Sequence, residues 1–141
     1  MEQQVFGRAD TSERSLWTAM ARGFAGKCPH CGKGKLFGRF LKVEASCPEC
    51  GEEFHHHRAD DLPAYLVIVI VGHVVLAAFM GAETMLTLST WQHLAIWVPI
   101  TLLMTITLLQ PVKGAVVGLQ WALRMHGFSG QADALDTHPE L

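Results

Sequence analysis

Cys28-Pro29-His30-Cys31-Gly32 and Cys47-Pro48-Glu49-Cys50-Gly51 decide the reading of this 141-residue chain. The two pentapeptides are near copies. Fifteen residues separate Cys31 from Cys47, and these four are the only cysteines in the protein. Two C-x2-C loops brought together by a hairpin supply four thiolates to one ion. In each loop proline fixes φ after the first thiolate. Glycine after the second permits the positive-φ turn that aims backbone N–H groups at sulfur. Such N–H···S bonds soften the charge that four thiolates place on a divalent ion. Between the loops, Leu36, Phe37, Phe40, Leu41 and Val43 stand among Gly34, Lys35, Gly38, Arg39 and Lys42. That composition predicts two short strands with a turn near Gly38, a zinc-ribbon-like module over residues 26–57. Its own apolar core is small, so bound metal is expected to supply most of its folding free energy.

The ligand type, count and spacing of Cys28, Cys31, Cys47 and Cys50 favour structural Zn2+. Iron is the rival, because paired loops of this kind also build one-iron electron-transfer sites. Zinc is preferred here because no aromatic-rich core is expected around the loops to shield an iron centre. A disulfide scaffold is disfavoured, since small secreted domains of that type are denser in cysteine. A closed four-thiolate shell leaves no open position for catalysis at the metal.

Upstream, Met1 to Asp10 is polar and lacks the basic-then-apolar pattern of a signal peptide, which places the metal-bearing end in the reducing cytosol. Thr11 and Ser12 are N-cap types. Leu16, Trp17, Met20, Gly23 and Phe24 follow at helical spacing, flanked by Arg14 and Arg22. An amphipathic helix is expected there, lying on headgroups or covering the metal module.

Downstream, His55, His56, His57, Arg58, Ala59, Asp60 and Asp61 form a polar collar. It reads as a headgroup-level collar rather than a second metal site, with Asp60 or Asp61 able to cap the helix that Pro63 opens. Leu62 to Ala82 is a run of 21 residues without formal charge. At ~1.5 Å per residue it crosses a ~30 Å hydrocarbon core. Glu83 to His93 connects it to a second expected span, Leu94 to Val112, which contains Pro99, Thr101, Thr105 and Thr107. Threonines that bond to carbonyls of their own helix are compatible with a span. Nine of the eleven Lys and Arg precede the first span, none lies in the connection, and Lys113 and Arg124 follow the second. That bias puts both termini in the cytoplasm.

Residues 113–128 are expected to form an interfacial helix. There Gly114, Gly118 and Ala122, spaced by four, permit close approach of another helix. Residues 1–25 and 129–141 complete the chain as an N-terminal lead-in and a polar tail. The expected fold class is thus a mainly α membrane protein. It combines a two-helix transmembrane hairpin over 58–112, a small cytosolic β-type zinc ribbon and flanking amphipathic helices.

His73 falls at mid-depth of the first span, where an ionisable side chain is costly. An antiparallel hairpin sets it opposite Thr101 to Thr105, so a neutral His73 bonded to a threonine hydroxyl is expected. The alternative is a haem or copper ligand, which would need a second histidine from another chain. Arg22 to Lys42 holds six basic residues and no acidic one. Nucleic acid is not the expected partner, because attraction to anionic lipid already accounts for these charges. The net charge of −2 implies no partner by itself. No Walker-type loop, nucleophile elbow or HExxH helix is present.

The order CPHCGKGKLFGRFLKV, CPECG, HHRADDLPAYLVIVIVGH, QPVKGAVVGLQWALRMHGF resembles the bacterial family known as domain of unknown function 983, over about Arg22 to Phe128. The resemblance implies a small inner-membrane protein with a cytosolic four-cysteine module. The family's pattern falls on Cys28, Cys31, Cys47, Cys50, Arg58 to Asp61, Pro63, Tyr65 and His73. It also hints, by gene neighbourhood alone, at assembly of a haem-copper oxidase. It carries no established activity.

These readings converge on a non-enzymatic accessory protein, with the ribbon as a docking head and the hairpin contacting helices of a larger complex. An oxidase subunit or assembly factor is the partner that the resemblance suggests, and self-association is open. A second hypothesis is metal or electron handling through the cysteines and His73. A third, a membrane-tethered regulator acting on nucleic acid, is the weakest.

Overall fold

The structure, a computed structural model, describes residues 14–54, 61–125 and 128. Thr11, Ser12, the collar from His55 to Asp60 and the C-terminal tail lie outside the described residues. Five elements follow in chain order: α1 (Leu16–Phe24), β1 (Phe37–Arg39), β2 (Lys42–Val43), α2 (Leu62–Met85) and α3 (Thr90–Ala122).

The start of α1 is set by Ser15, whose hydroxyl accepts from the Thr18 N–H at 3.4 Å. That bond satisfies one of the donors a helix start leaves over. The buried face of α1 is only in part the stripe the spacing suggested. Gly23 is buried together with Ala19, and Leu16 and Met20 are half-buried, whereas Trp17 is 79% and Phe24 52% exposed. The reason lies in the partner. Gly23 meets Gly114 of α3, and Ala19 meets Gly118, in an antiparallel crossing with backbone against backbone. A Cβ built at Gly114 would lie 2.8 Å from the Gly23 carbonyl carbon, and one at Gly118 2.9 Å from that of Ala19. Only small residues allow this approach.

The strands form one antiparallel pair, with Phe37 opposite Val43 and Arg39 opposite Lys42. Its turn is Phe40–Leu41, beyond Gly38, which lies within β1. Phe37 and Val43 turn inward together. They join Ala19, Leu36, Phe54, Val116, Val117, Trp121, Phe128 and the sulfur-bearing Cys28 and Cys47 in one buried cluster. The ribbon therefore has more than its own few apolar residues to fold around. Its core is completed by α1 and the end of α3.

Beyond this unit α2 and α3 pack as an antiparallel hairpin. Val67, Val71 and Val112 are buried between them, flanked by Leu66, Val75, Met104, Leu108 and Leu109. Asp61 occupies the N-cap position of α2 but makes no side-chain capping bond; Pro63 opens the helix, as expected. The connection is shorter than the expected 83–93. It is Leu86–Ser89, because Ser89 and Gln92 form a capping box that starts α3 early. The Ser89 N–H donates to Gln92 Oε1 at 2.8 Å.

α3 is a single helix of 33 residues that carries both Pro99 and Pro111. The expected interfacial helix is its last part, not a separate element. Thr101 and Thr105 donate to the carbonyls of Trp97 and Thr101, each at 2.7 Å, in keeping with the expected self-bonding. At ~1.5 Å per residue α3 is about 50 Å long and α2 about 36 Å, against a ~30 Å hydrocarbon core. Both are long and apolar enough to cross a membrane. α3 has some 20 Å to spare.

Candidate metal centre

Each cysteine pair sits in a small closed loop. In the first, the Cys28 N–H donates to the Gly34 carbonyl at 2.8 Å and the Gly32 N–H to the Cys28 carbonyl at 2.8 Å. In the second, Cys47 N–H bonds to the Glu52 carbonyl at 2.8 Å and Gly51 N–H to the Cys47 carbonyl at 3.0 Å. Antiparallel bridges close the loops, Lys27 to Lys35 and Ser46 to Glu53. Gly32 and Gly51 have φ of +71° and +76°, the left-handed turn that favours glycine.

This local geometry brings four sulfurs together. All lie within 4.8 Å of one another. Cys28 Sγ to Cys50 Sγ and Cys31 Sγ to Cys47 Sγ are each 3.7 Å, far beyond a disulfide bond. A tetrahedron with ~2.3 Å metal–sulfur bonds has edges of about 3.8 Å. The pairs that lie across the two loops already meet that edge, so the residues fit a four-coordinate metal ion. Cys28 and Cys47 are buried, Cys31 is half-buried and Cys50 exposed. One side of the tetrahedron faces the core and the other faces outward.

The electrostatics differ from sulfur to sulfur. Backbone N–H groups of Gly34, at 3.5 Å, and Lys33, at 3.4 Å, point at Cys31 Sγ and lower its pKa to about 6. Burial pushes the Cys28 and Cys50 thiols up instead, against backbone donors that favour their thiolates. Bound metal would offset that burial cost, because thiolate ligands bind deprotonated. Gly34 has a second role that the motif alone did not flag: a Cβ there would collide with Cys47 Sγ.

Two cationic side chains, Arg22 and Lys113, fasten the cysteine module to the helices, and a third, Arg14, ties the start of α1 to α3. Arg22 of α1 donates to the Pro29 and His30 carbonyls of the first loop at 3.2 and 3.0 Å. Lys113 of α3 donates to the Leu41 carbonyl at the ribbon's turn at 2.6 Å. Arg14 donates to the Trp121 carbonyl at 2.8 Å, with its guanidinium 4.3 Å from the Trp121 ring centroid. His30 lies between the two regions, 3.5 Å from Cys50 Sγ and with its ring 5.7 Å from that of Trp121.

Two sequence expectations change here. The sulfurs are not free of aromatic neighbours: Phe37, Phe54, Trp121 and Phe128 share the cluster of Cys28 and Cys47. The premise used to prefer zinc over iron therefore fails, and a tetrahedral sulfur set suits both ions. His73 does not reach a threonine. It is exposed on α2, and its Nδ1–H donates to the Val69 carbonyl of its own helix at 2.7 Å. A helix satisfies a polar side chain on its outer face in this way when no partner stands opposite. The basic residues of 22–42 are likewise partly committed, since Arg22 holds backbone carbonyls.

No curated protein and no solved structure matches the chain. The family described as "Protein of unknown function (DUF983)" matches residues 37–121. That segment covers more than half of the chain and includes the ribbon strands, Cys47, Cys50 and both long helices. By that match, the chain that builds this four-sulfur centre on the end of a long helix belongs to the DUF983 family.

Proposed function

We propose that this chain is a non-enzymatic, membrane-anchored accessory protein whose zinc-loaded head docks onto a larger membrane complex. One observation carries the reading. The four-cysteine loops, α1 and the end of α3 share a single buried cluster, so the metal centre is built as the fastening of a head to a long apolar helix. Four thiolates fill a tetrahedral shell, which supports a structural rather than a catalytic ion. In the apolar windows of α2 and α3 only 17% and 6% of residues are buried, which supports lipid contact over the core of a soluble domain. The distribution of Lys and Arg supports a cytoplasmic head, and the family resemblance suggests a bacterial inner membrane.

The small-residue ladder of α3 is occupied by α1, so the docking surface lies elsewhere. The outward faces of the hairpin and the exposed part of the ribbon are the surfaces that remain. Elemental analysis of protein purified in mild detergent should return one zinc per chain. Co-purification should recover a membrane partner, an oxidase subunit or assembly factor being the one the family resemblance suggests. Repeated isolation of the chain alone would defeat the docking reading.

A second reading, metal or electron handling, is favoured by the aromatic cluster around Cys28 and Cys47. Iron at the four sulfurs would give visible absorbance. A haem or copper ligand role for His73 requires a second chain to face it, and haem spectra lost in His73→Ala would reveal it. Colourless, metal-replete protein would dispose of this alternative.

A further inference from the structure

The head carries exposed aromatic side chains that its own core does not use, Phe24 at the end of α1 and Phe40 at the ribbon's turn. We propose that the head rests on the bilayer in which the chain is anchored, with Phe24 and Phe40 seated at headgroup depth and anionic lipid as the partner of the basic side chains around them. The proposal rests on the membrane-anchored reading above. Position and charge support it separately.

Position follows from the packing of α1 on α3. Gly23 meets Gly114, Ala19 meets Gly118 and Arg14 reaches the Trp121 carbonyl, so the two helices run antiparallel and in step. Phe24 therefore stands level with Lys113, the first charge after the apolar run of α3. The ribbon comes to the same level. Phe37 lies against Gly114, and the Phe40–Leu41 turn is held by the Lys113 ammonium. On α2, Leu66 packs with Val67 and Val112, which brings its neighbour Tyr65 to this height as well. Phe24, Phe40 and Tyr65 are all exposed, and they come from α1, the ribbon's turn and α2. Tyrosine and tryptophan rings collect where hydrocarbon gives way to headgroups, and phenylalanine serves as an apolar anchor there.

Charge supplies the second support. Lys27, Lys35, Arg39 and Lys42 flank the two phenylalanines in sequence, are exposed, and make no ion pair among the described residues. Residues 22–42 contain no acidic side chain. The carboxylates near this level are Glu44, beside Gly38, and Asp61 at the start of α2. Basic side chains this close to an anionic leaflet are attracted to it, within about a Debye length of ~8–10 Å. Apolar anchors ringed by lysine and arginine are the combination that holds a surface in the headgroup layer.

The sulfurs stand clear of that layer. The first cysteine loop is tied to Arg22, and its His30 packs on Trp121. Trp121 lies eight residues past Lys113 and so about 12 Å further from the hydrocarbon. Trp17 shares the outward face of α1 with Phe24 but precedes it by seven residues, which lifts it about 10 Å. Contact with lipid at Phe24 and Phe40 thus fixes how the head sits and leaves the exposed Cys50 side to the cytosol.

The test uses the full, metal-loaded chain in nanodiscs of phosphatidylcholine, with or without phosphatidylglycerol. Hydrogen exchange is read at residues 24–27 and 38–42. Phosphatidylglycerol should slow it about fivefold or more, and about 1 M salt should remove the difference, since the Debye length there is ~3 Å. Phe24→Gln and Phe40→Gln should each lose most of that protection with metal content unchanged, whereas Trp17→Gln should keep it. Equal exchange in the two kinds of disc overturns the proposal, as does protection that both phenylalanine variants retain or an equal loss in Trp17→Gln. In each of those cases the chain is still in the disc, so the anchored reading survives. A chain that does not enter the discs overturns that reading and the proposal with it.

Discussion

Gly114→Ala tests the joint between head and helix most directly. A single methyl group there would meet the Gly23 carbonyl oxygen in hard overlap, its carbon at 2.8 Å and Phe37 Cε2 at 3.2 Å. Two of those atoms belong to the backbone of α1, so no side chain can rotate away. The helices must separate or α1 must shift. Overpacking of this kind costs at the upper end of its usual range, ~3 kcal/mol. Alanine recovers ~1 kcal/mol of intrinsic helix preference over glycine. The net loss is then about 2 kcal/mol, equivalent to ~8–16 °C in the melting midpoint of a unit of this size. Pulse proteolysis of metal-loaded protein, read at tryptic sites in α1 and the ribbon, measures the shift. Gly72→Ala and Gly81→Ala are the controls, because nothing lies within 4 Å of a Cβ at either position. They should be neutral or slightly stabilising. A Gly114→Ala head within about 0.5 kcal/mol of the parent, or equal losses in the controls, would refute the close packing of α1 on α3.

Chelation, or Cys31→Ser or Cys50→Ser, should release the metal and open residues 26–54 to trypsin while α2 and α3 stay protected; an unchanged digest would contradict a metal-held ribbon. Lys113→Met removes the donor to the Leu41 carbonyl and should loosen the ribbon's turn by roughly 1.5 kcal/mol, a partly exposed bond being worth the lower end for a charged donor; hydrogen exchange at Phe40 to Lys42 reads it. Impermeant thiol reagents applied to intact cells should leave all four cysteines unlabelled if the head is cytoplasmic.

The parts of this architecture that were legible in the sequence are those fixed by local chemistry. The doubled C-x2-C loops with Gly32 and Gly51, the first apolar run and the self-bonded threonines each depend on neighbours a few residues away. The parts that were not legible depend on distant backbone. Nothing near Gly114 and Gly118 states that their partner is α1 of the same chain rather than another protein. Arg22 and Lys113 bond to carbonyls, which any residue offers, so no partner residue marks them. The continuity of α3 was obscured by Lys113, the charge at which the expected second span ended. The orientation of His73 turned on which face of α2 meets α3. In a helix as evenly apolar as α2, with no polar face, hydropathy does not encode that choice.

The unbroken run of α3 from Thr90 to Ala122 makes it a lever. A rod of about 50 Å that pivots ~10° near its middle sweeps its end through ~4 Å. Because Gly114, Gly118 and Trp121 sit on that end, the sulfur cluster travels with it as one piece. In the membrane-anchored reading proposed above, changes in bilayer thickness or in the crowding of neighbouring helices would displace the four-sulfur surface, with no break in α3 between to absorb the motion.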